Sequence, residues 1–228
     1  MKKFTLCLLS LVALFVACKP AGQPGKSGLE KSLEQIGLLN VAEEIPGIEV
    51  YMVYATPYNF MGRVLYEGLD EAYLVPEAMQ KLRKANELLR KKRLDLHLVV
   101  YDAVRPRSIQ KQMWAVVENT ELQDYVANPN KSGGGPHNYG VAVDVTLVDC
   151  TGHPIPMGSE YDYFGDRSRV DLEDRLIAEG EITPRELQNR QLLREVMTEA
   201  GWLVEPSEWW HFNAMPLDEA SRKLAVIE

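Results

Sequence analysis

The sequence predicts one domain that mixes strands with helices. Three observations carry that reading. Runs rich in β-branched and aromatic residues recur at residues 48–55, 94–101 and 139–148. Apolar residues at helical spacing fill 76–92 and the stretch after Thr183. A chain of 228 residues is long enough for one sizeable core. Hydrophobic residues make up 46% and charged residues 25%, the balance of an ordinary globular protein. The formal net charge is -8 and no basic stripe is present, so nucleic acid is not expected as a partner.

The first 17 residues read as a leader. Lys2 and Lys3 precede an almost wholly apolar run from Phe4 to Ala17, the length of a secretory core and short for a membrane span. Ala17-Cys18 resembles the lipobox of bacterial lipoproteins, in which the cysteine becomes the lipid-bearing first residue. A plain signal peptide or an uncleaved anchor are the other readings, and each takes the domain out of the cytoplasm. Residues 18–36 are read as a flexible tether, on their Gly, Pro, Lys and Ser content. Cys7 leaves with the leader and Cys18 carries lipid. Cys150 then stands alone, and the mature domain has no internal disulfide.

The domain spans 37–228. After the strand at 48–55, Thr56-Pro57-Tyr58-Asn59-Phe60 breaks the run, and 65–74 is irregular with one brief strand. Pro76 suits a first helical turn, and Ala78, Met79, Leu82, Ala85 and Leu89 share a face up to Lys92. The basic residues at its end favour the negative pole of the helix. In the strand at 94–101, His97 alternates with Asp95 and reads as a surface or half-buried residue. Ser108 is expected to cap a helix whose face is Ile109, Met113, Val116 and Val117. Asn128-Pro129-Asn130-Lys131 turns into a glycine loop. In the strand at 139–148, Val141, Val143, Val145 and Leu147 point one way and Ala142, Asp144 and Thr146 the other. A long connection, 149–169, carries His153 on its surface. Thr183-Pro184-Arg185-Glu186 is a capping box opening a helix that Gly201 ends. Residues 205–212 read as a second central strand, and 217–227 as one short helix.

Five positions carry candidate chemistry. A catalytic zinc site needs three protein ligands and one open position. His137, on the glycine loop, and Asp144, inside the strand, supply two; His211 offers the third. Taken singly, Asp144 also reads as a hydrogen-bonded structural group and His137 as an unremarkable loop residue. Glu208, three residues before His211, is the candidate general base. Positions three apart face opposite ways on an ideal strand, so Glu208 must sit at an irregular start after Pro206. Glu208-Trp209-Trp210-His211 reads alternatively as an aromatic strand with a charged edge. Arg105, held by Pro106, either faces the oxyanion of peptide hydrolysis or forms a salt bridge to Asp102 or another carboxylate.

In order, Tyr101-Asp102-Ala103-Val104-Arg105-Pro106, His137 with Asp144 seven residues on, and Glu208-Trp209-Trp210-His211 resemble the D-alanyl-D-alanine dipeptidases, the VanX-type zinc peptidases. The likeness covers 48–212, with Tyr54 to Phe60, Gln112-Met113-Trp114 and Met157-Gly158-Ser159 fitting as well. It implies a small α+β domain, an antiparallel sheet with helices packed around it. It implies one zinc per chain on His137, Asp144 and His211, with Glu208 as base and proton shuttle and Arg105 as oxyanion stabiliser. Asp162 would hold the free amino group of a D,D-dipeptide substrate. A serine that this family commonly carries two residues before its first ligand is replaced by Gly135, and Ser132 or the glycine-loop backbone is the expected substitute for binding the substrate carboxylate. The implied activity is hydrolysis of D-alanyl-D-alanine in envelope salvage or peptidoglycan turnover, by a protein anchored to the membrane at Cys18. A zinc D,D-carboxypeptidase acting on longer wall peptides and a non-catalytic wall-peptide-binding module remain as alternatives.

Overall fold

The computed structural model describes residues 25–131 and 134–228. The leader expected at 1–17 and Cys18 lie outside them. Part of the expected tether is folded: α1 (Gly28–Gln35) opens on a capping box in which Ser27 Oγ accepts from Glu30 N at 3.1 Å and Glu30 Oε2 accepts from Ser27 N at 2.9 Å. Leu33 on this helix is buried in the core, so the folded body starts before residue 37.

The chain continues through β1 (Leu39–Asn40), α2 (Val41–Glu44), β2 (Glu49–Val50), β3 (Tyr73–Leu74), α3 (Pro76–Lys92), β4 (Leu96–Asp102) and α4 (Arg107–Val117). Then come β5 (Ala142–Asp149), α5 (Glu173–Glu179), α6 (Pro184–Glu199), β6 (Leu203–Val204), β7 (His211–Asn213) and α7 (Leu217–Lys223). The main sheet runs β2-β4-β5-β7-β6; β2 joins it parallel and every other pairing is antiparallel. β1 and β3 make a separate antiparallel pair. This is the expected α+β architecture. α3 packs on β4 and α6, and α6 packs on β5 and β6, so the two long helices cover one face of the sheet. The long connection after β5 folds back along that strand, where Ile155 N donates to Leu147 O. β5 is buried along nearly its whole length.

The helices at 76–92 and 184–199 form as the spacing and caps predict. Several local expectations change. The strand at 48–55 shrinks to β2, followed by a 3₁₀ turn at Val53–Ala55. Met52, Val53 and Tyr54 are all buried in succession, a pattern no half-buried strand can show, and packing overrides their β-propensity. The strand at 205–212 shrinks to β7, because Pro206 lacks an N–H for a ladder and both Trp209 and Trp210 are buried. β5 begins at Ala142 because Pro136–Tyr139 forms a 3₁₀ turn. Ser108 does not cap α4: Pro106 holds that position and Ser108 lies within the first turn. Val116 is 56% exposed, and the buried face of α4 is Gln110, Met113 and Val117. Cys150 is free and exposed.

Candidate active site

Strand register brings the first groups together. Asp144 on β5 lies directly opposite His211 on β7, and a bulge between Val100 and Asp102 on β4 sets Asp102 opposite Asp144 on its other side. Residues opposed in an antiparallel pair share a face with their Cβ atoms about 5 Å apart. Three polar side chains thus line up across three strands. His137 arrives from the 3₁₀ turn before β5. That turn is pinned where Arg105 N donates to His137 O at 3.0 Å, Gly135 N donates to Asn138 Oδ1 at 2.8 Å and Asn138 Nδ2 donates to Arg105 O at 2.7 Å. Gly140, at φ 66°, then reverses the chain into β5; a Cβ there would also press on Leu38 at 3.2 Å.

His137 Nε2, His211 Nδ1 and Asp144 Oδ1 form a small triangle with edges of 3.1, 3.0 and 3.3 Å. The far nitrogens are committed: His137 Nδ1 donates to Ala103 O at 2.5 Å and His211 Nε2 donates to Asn213 Oδ1 at 2.8 Å. In neutral rings, the two facing nitrogens therefore present lone pairs to each other and to a carboxylate. Three converging acceptors repel one another unless a cation or a proton lies among them. A proton on His211 can take that part. Against the burial that would lower it, the Asp144 hydrogen bond and charge hold His211 up at about 9. Asp144, despite burial that would raise it, is held well below the usual carboxylate range by His137 and His211. The donor set fits a divalent metal. Zinc–nitrogen bonds of about 2.0–2.1 Å at tetrahedral angles set neighbouring donors about 3.3 Å apart, close to the edges observed. The buried His-Asp-His group brings together the three expected ligands, and its second hydrogen bonds supply the outer support such ligands need.

Arg105 forms the salt bridge to Asp102 that was one of its two expected readings. Its Nε and Nη2 donate to Asp102 Oδ2 at 2.9 and 2.6 Å, and Nη1 donates to Gln110 Oε1 at 2.9 Å. Asp102 is fully buried and also accepts from Tyr66 Oη at 2.7 Å and Ala103 N at 2.9 Å. A guanidinium has five N–H groups, so two remain for the cleft that Arg105 lines. Its plane rests over the Tyr54 ring, 5.1 Å from the centroid.

Glu208 sits on the turn before β7, with its N–H donating to Glu205 O at 3.3 Å. That irregular start is what convergence with His211 required. Its Oε2 lies 3.9 Å from His211 Nδ1, and burial pushes its carboxyl up to about 7. Asp162 takes both oxygens to Tyr54 Oη, which donates at 2.9 and 3.0 Å, and burial together with the Asp144 charge raises it well above its ordinary value. His137, Asp144, His211, Arg105, Glu208 and Asp162 line one cleft of about 190 Å³, with Phe60, Tyr125 and Phe164 forming its aromatic side. Ser132 lies outside the described residues. His97 is half-buried on β4 and His153 is exposed, away from the cleft.

The sequence reading missed Asn213, Gln110, Tyr54 and Tyr161 as supports. Asn213 had a signal: two residues beyond His211 on a strand, it shares the same face. Tyr54 and Tyr161 had none, because their partners lie 108 and 17 residues away.

A buried His-Asp-His cluster able to hold a metal, with a carboxylate beside it in a cleft, has the make-up of a metallopeptidase site, and the family match makes this protein a metallopeptidase. The chain belongs to the peptidase M15 family described as D-ala-D-ala dipeptidase, which it matches over residues 34–224. It is similar to the D-alanyl-D-alanine dipeptidase of Escherichia coli strain K12, 30% identical over 176 residues, covering 77% of this chain and 83% of that one. The enzyme of the same name from Enterococcus faecium is 29% identical over 199 residues, 78% of this chain and 91% of its own. The one from Synechocystis is 28% identical over 185 residues, 69% and 74% of the two chains.

Proposed function

We propose that this protein hydrolyses D-alanyl-D-alanine and similar dipeptides, with one zinc ion per chain held by His137, Asp144 and His211. The observation that carries the reading is the 3.0–3.3 Å donor triangle with Glu208 beside it in the same cleft. Zinc, when bound, supplies a Lewis acid that polarises the scissile carbonyl and makes water acidic. Glu208 takes the proton that water gives up and passes it to the leaving amine. Arg105, fixed by Asp102 and Gln110, turns its free N–H groups to the oxyanion. Asp162, oriented by Tyr54, holds the free amino end of the substrate. The cleft lining supports a small cationic-ended substrate: it carries Asp124, Asp144, Asp162, Glu205 and Glu208, and among the described residues Arg105 is its one guanidinium or ammonium group.

The test measures zinc content and D-alanyl-D-alanine turnover on one preparation. Stoichiometric zinc, turnover abolished by a chelator and restored by zinc, and much slower cleavage of N-acetyl-D-alanyl-D-alanine are expected. Equal cleavage of the blocked compound would make the protein a carboxypeptidase. Zinc without any turnover would make it a binding module.

The proposed location is the cell envelope, through lipid on Cys18, with salvage or wall turnover as the task. The apolar leader and Ala17-Cys18 support it. A Cys18→Ser variant should leave the membrane fraction and lose incorporation of labelled palmitate; a wild-type protein found in the cytosol would refute the location.

A further inference from the structure

Tyr161 takes no part in the steps above, yet its hydroxyl donates to Asp144 Oδ2 at 2.8 Å. The other oxygen of that carboxylate, Oδ1, faces both imidazoles. Arg105 Nη2, at 3.8 Å from Oδ2, is beyond hydrogen-bond reach. Tyr161 does not line the catalytic cleft. Its ring borders a second hollow and packs edge-on against Tyr101 at 5.2 Å and Trp210 at 5.3 Å. The hydroxyl is thus delivered to the His-Asp-His group from behind, on a ring wedged among other rings.

The backbone adds a second observation. Asp162 sits at φ 58°, a left-handed conformation that is uncommon for a residue with a side chain. Such positions carry backbone strain and persist where surrounding contacts demand them. The contacts here are Tyr161 on Asp144 and Asp162 on Tyr54, two successive side chains anchored in the same site.

Resting on the zinc reading above, we propose that Tyr161 is a positioning residue that restricts Asp144 to a single donor oxygen, Oδ1, by occupying Oδ2. A carboxylate whose second oxygen is free can swing both onto a metal and fill the position that water and substrate need. The hydrogen bond from Tyr161 holds that position open and fixes the plane of the carboxylate.

The test is Tyr161→Phe, which keeps the ring and removes the hydroxyl, beside Tyr101→Phe, which alters the same aromatic cluster without touching Asp144. Zinc affinity is read by chelator competition. For Tyr161→Phe it should weaken about 10–100-fold, the usual effect of losing a ligand's outer partner, while Tyr101→Phe stays at the wild-type value. The visible absorption of the cobalt-loaded variant should weaken as the coordination number rises, and kcat should fall with KM little changed. Melting of the metal-free proteins separates this from a packing role, which would lower the midpoint and leave affinity alone. Wild-type zinc binding with a Tyr161→Phe affinity within about twofold of it, well short of the loss expected for an outer partner, would overturn the role of Tyr161 only. A wild-type protein that takes up no zinc would overturn the metal reading as well.

Discussion

Removing Arg105 should produce two separable losses. The first is stability. Arg105→Ala leaves Asp102 fully buried without its guanidinium partner, although Tyr66 and Ala103 N still donate to it. Breaking a buried pair from one side costs about 3–5 kcal/mol. At this chain length that lowers the melting midpoint by about 6–20 °C. The second is turnover. Losing a fixed donor to the oxyanion costs about 10²–10³ in kcat. The double variant Arg105→Ala with Asp102→Asn tells them apart. The substituted amide is neutral, its oxygen can still accept from Tyr66 and Ala103, and most of the lost stability should return. Activity should not. The assay is thermal melting beside kcat and KM on D-alanyl-D-alanine. A double variant that regains stability and also turns over substrate at close to the wild-type rate would show that Arg105 merely neutralises Asp102.

Three further outcomes are expected. Glu208→Gln should retain zinc by elemental analysis and lose about 10²–10⁴ in kcat; a variant near wild-type rate would remove Glu208 as the base. Asp162→Asn should weaken kcat/KM on the free dipeptide by about 2–5 kcal/mol, while leaving any residual cleavage of the N-blocked compound unchanged, and equal losses on both would deny it the amine. Leu82→Ala, at a fully buried position on α3, should cost about 2–5 kcal/mol in urea melts without altering zinc affinity.

The long helices are legible because their signals are local. α3 announces itself by Pro76 and its apolar spacing, and α6 by the Thr183-Glu186 capping box. α5 is not; it begins at Glu173 with no side-chain cap to mark it. α1 reads as tether because Gly, Ser and Lys suggest a linker, while its stability comes from Leu33 entering a core built by distant residues. The strands expected at 48–55 and 205–212 are overlong for a related reason. β-Branched and aromatic residues mark burial, and burial is also satisfied in a tight turn, as at Val53–Ala55 and around Trp209 and Trp210.

The candidate site divides the same way. The order of residues alone establishes the chemical types: two imidazoles and a carboxylate for a metal, Glu208 close to one of them, Arg105 before a proline, and an alternation that sets Asp144 apart from the valines of β5. Folding supplies the rest. It pairs β5 with β7 so that Asp144 meets His211, stands Glu208 on a turn facing the cluster, holds Arg105 with Asp102, and caps one oxygen of Asp144 with Tyr161. Residue chemistry and backbone period are properties of a few neighbouring positions. Register, and which oxygen meets which donor, depend on packing among distant segments, as with Tyr54 and Asp162, 108 residues apart.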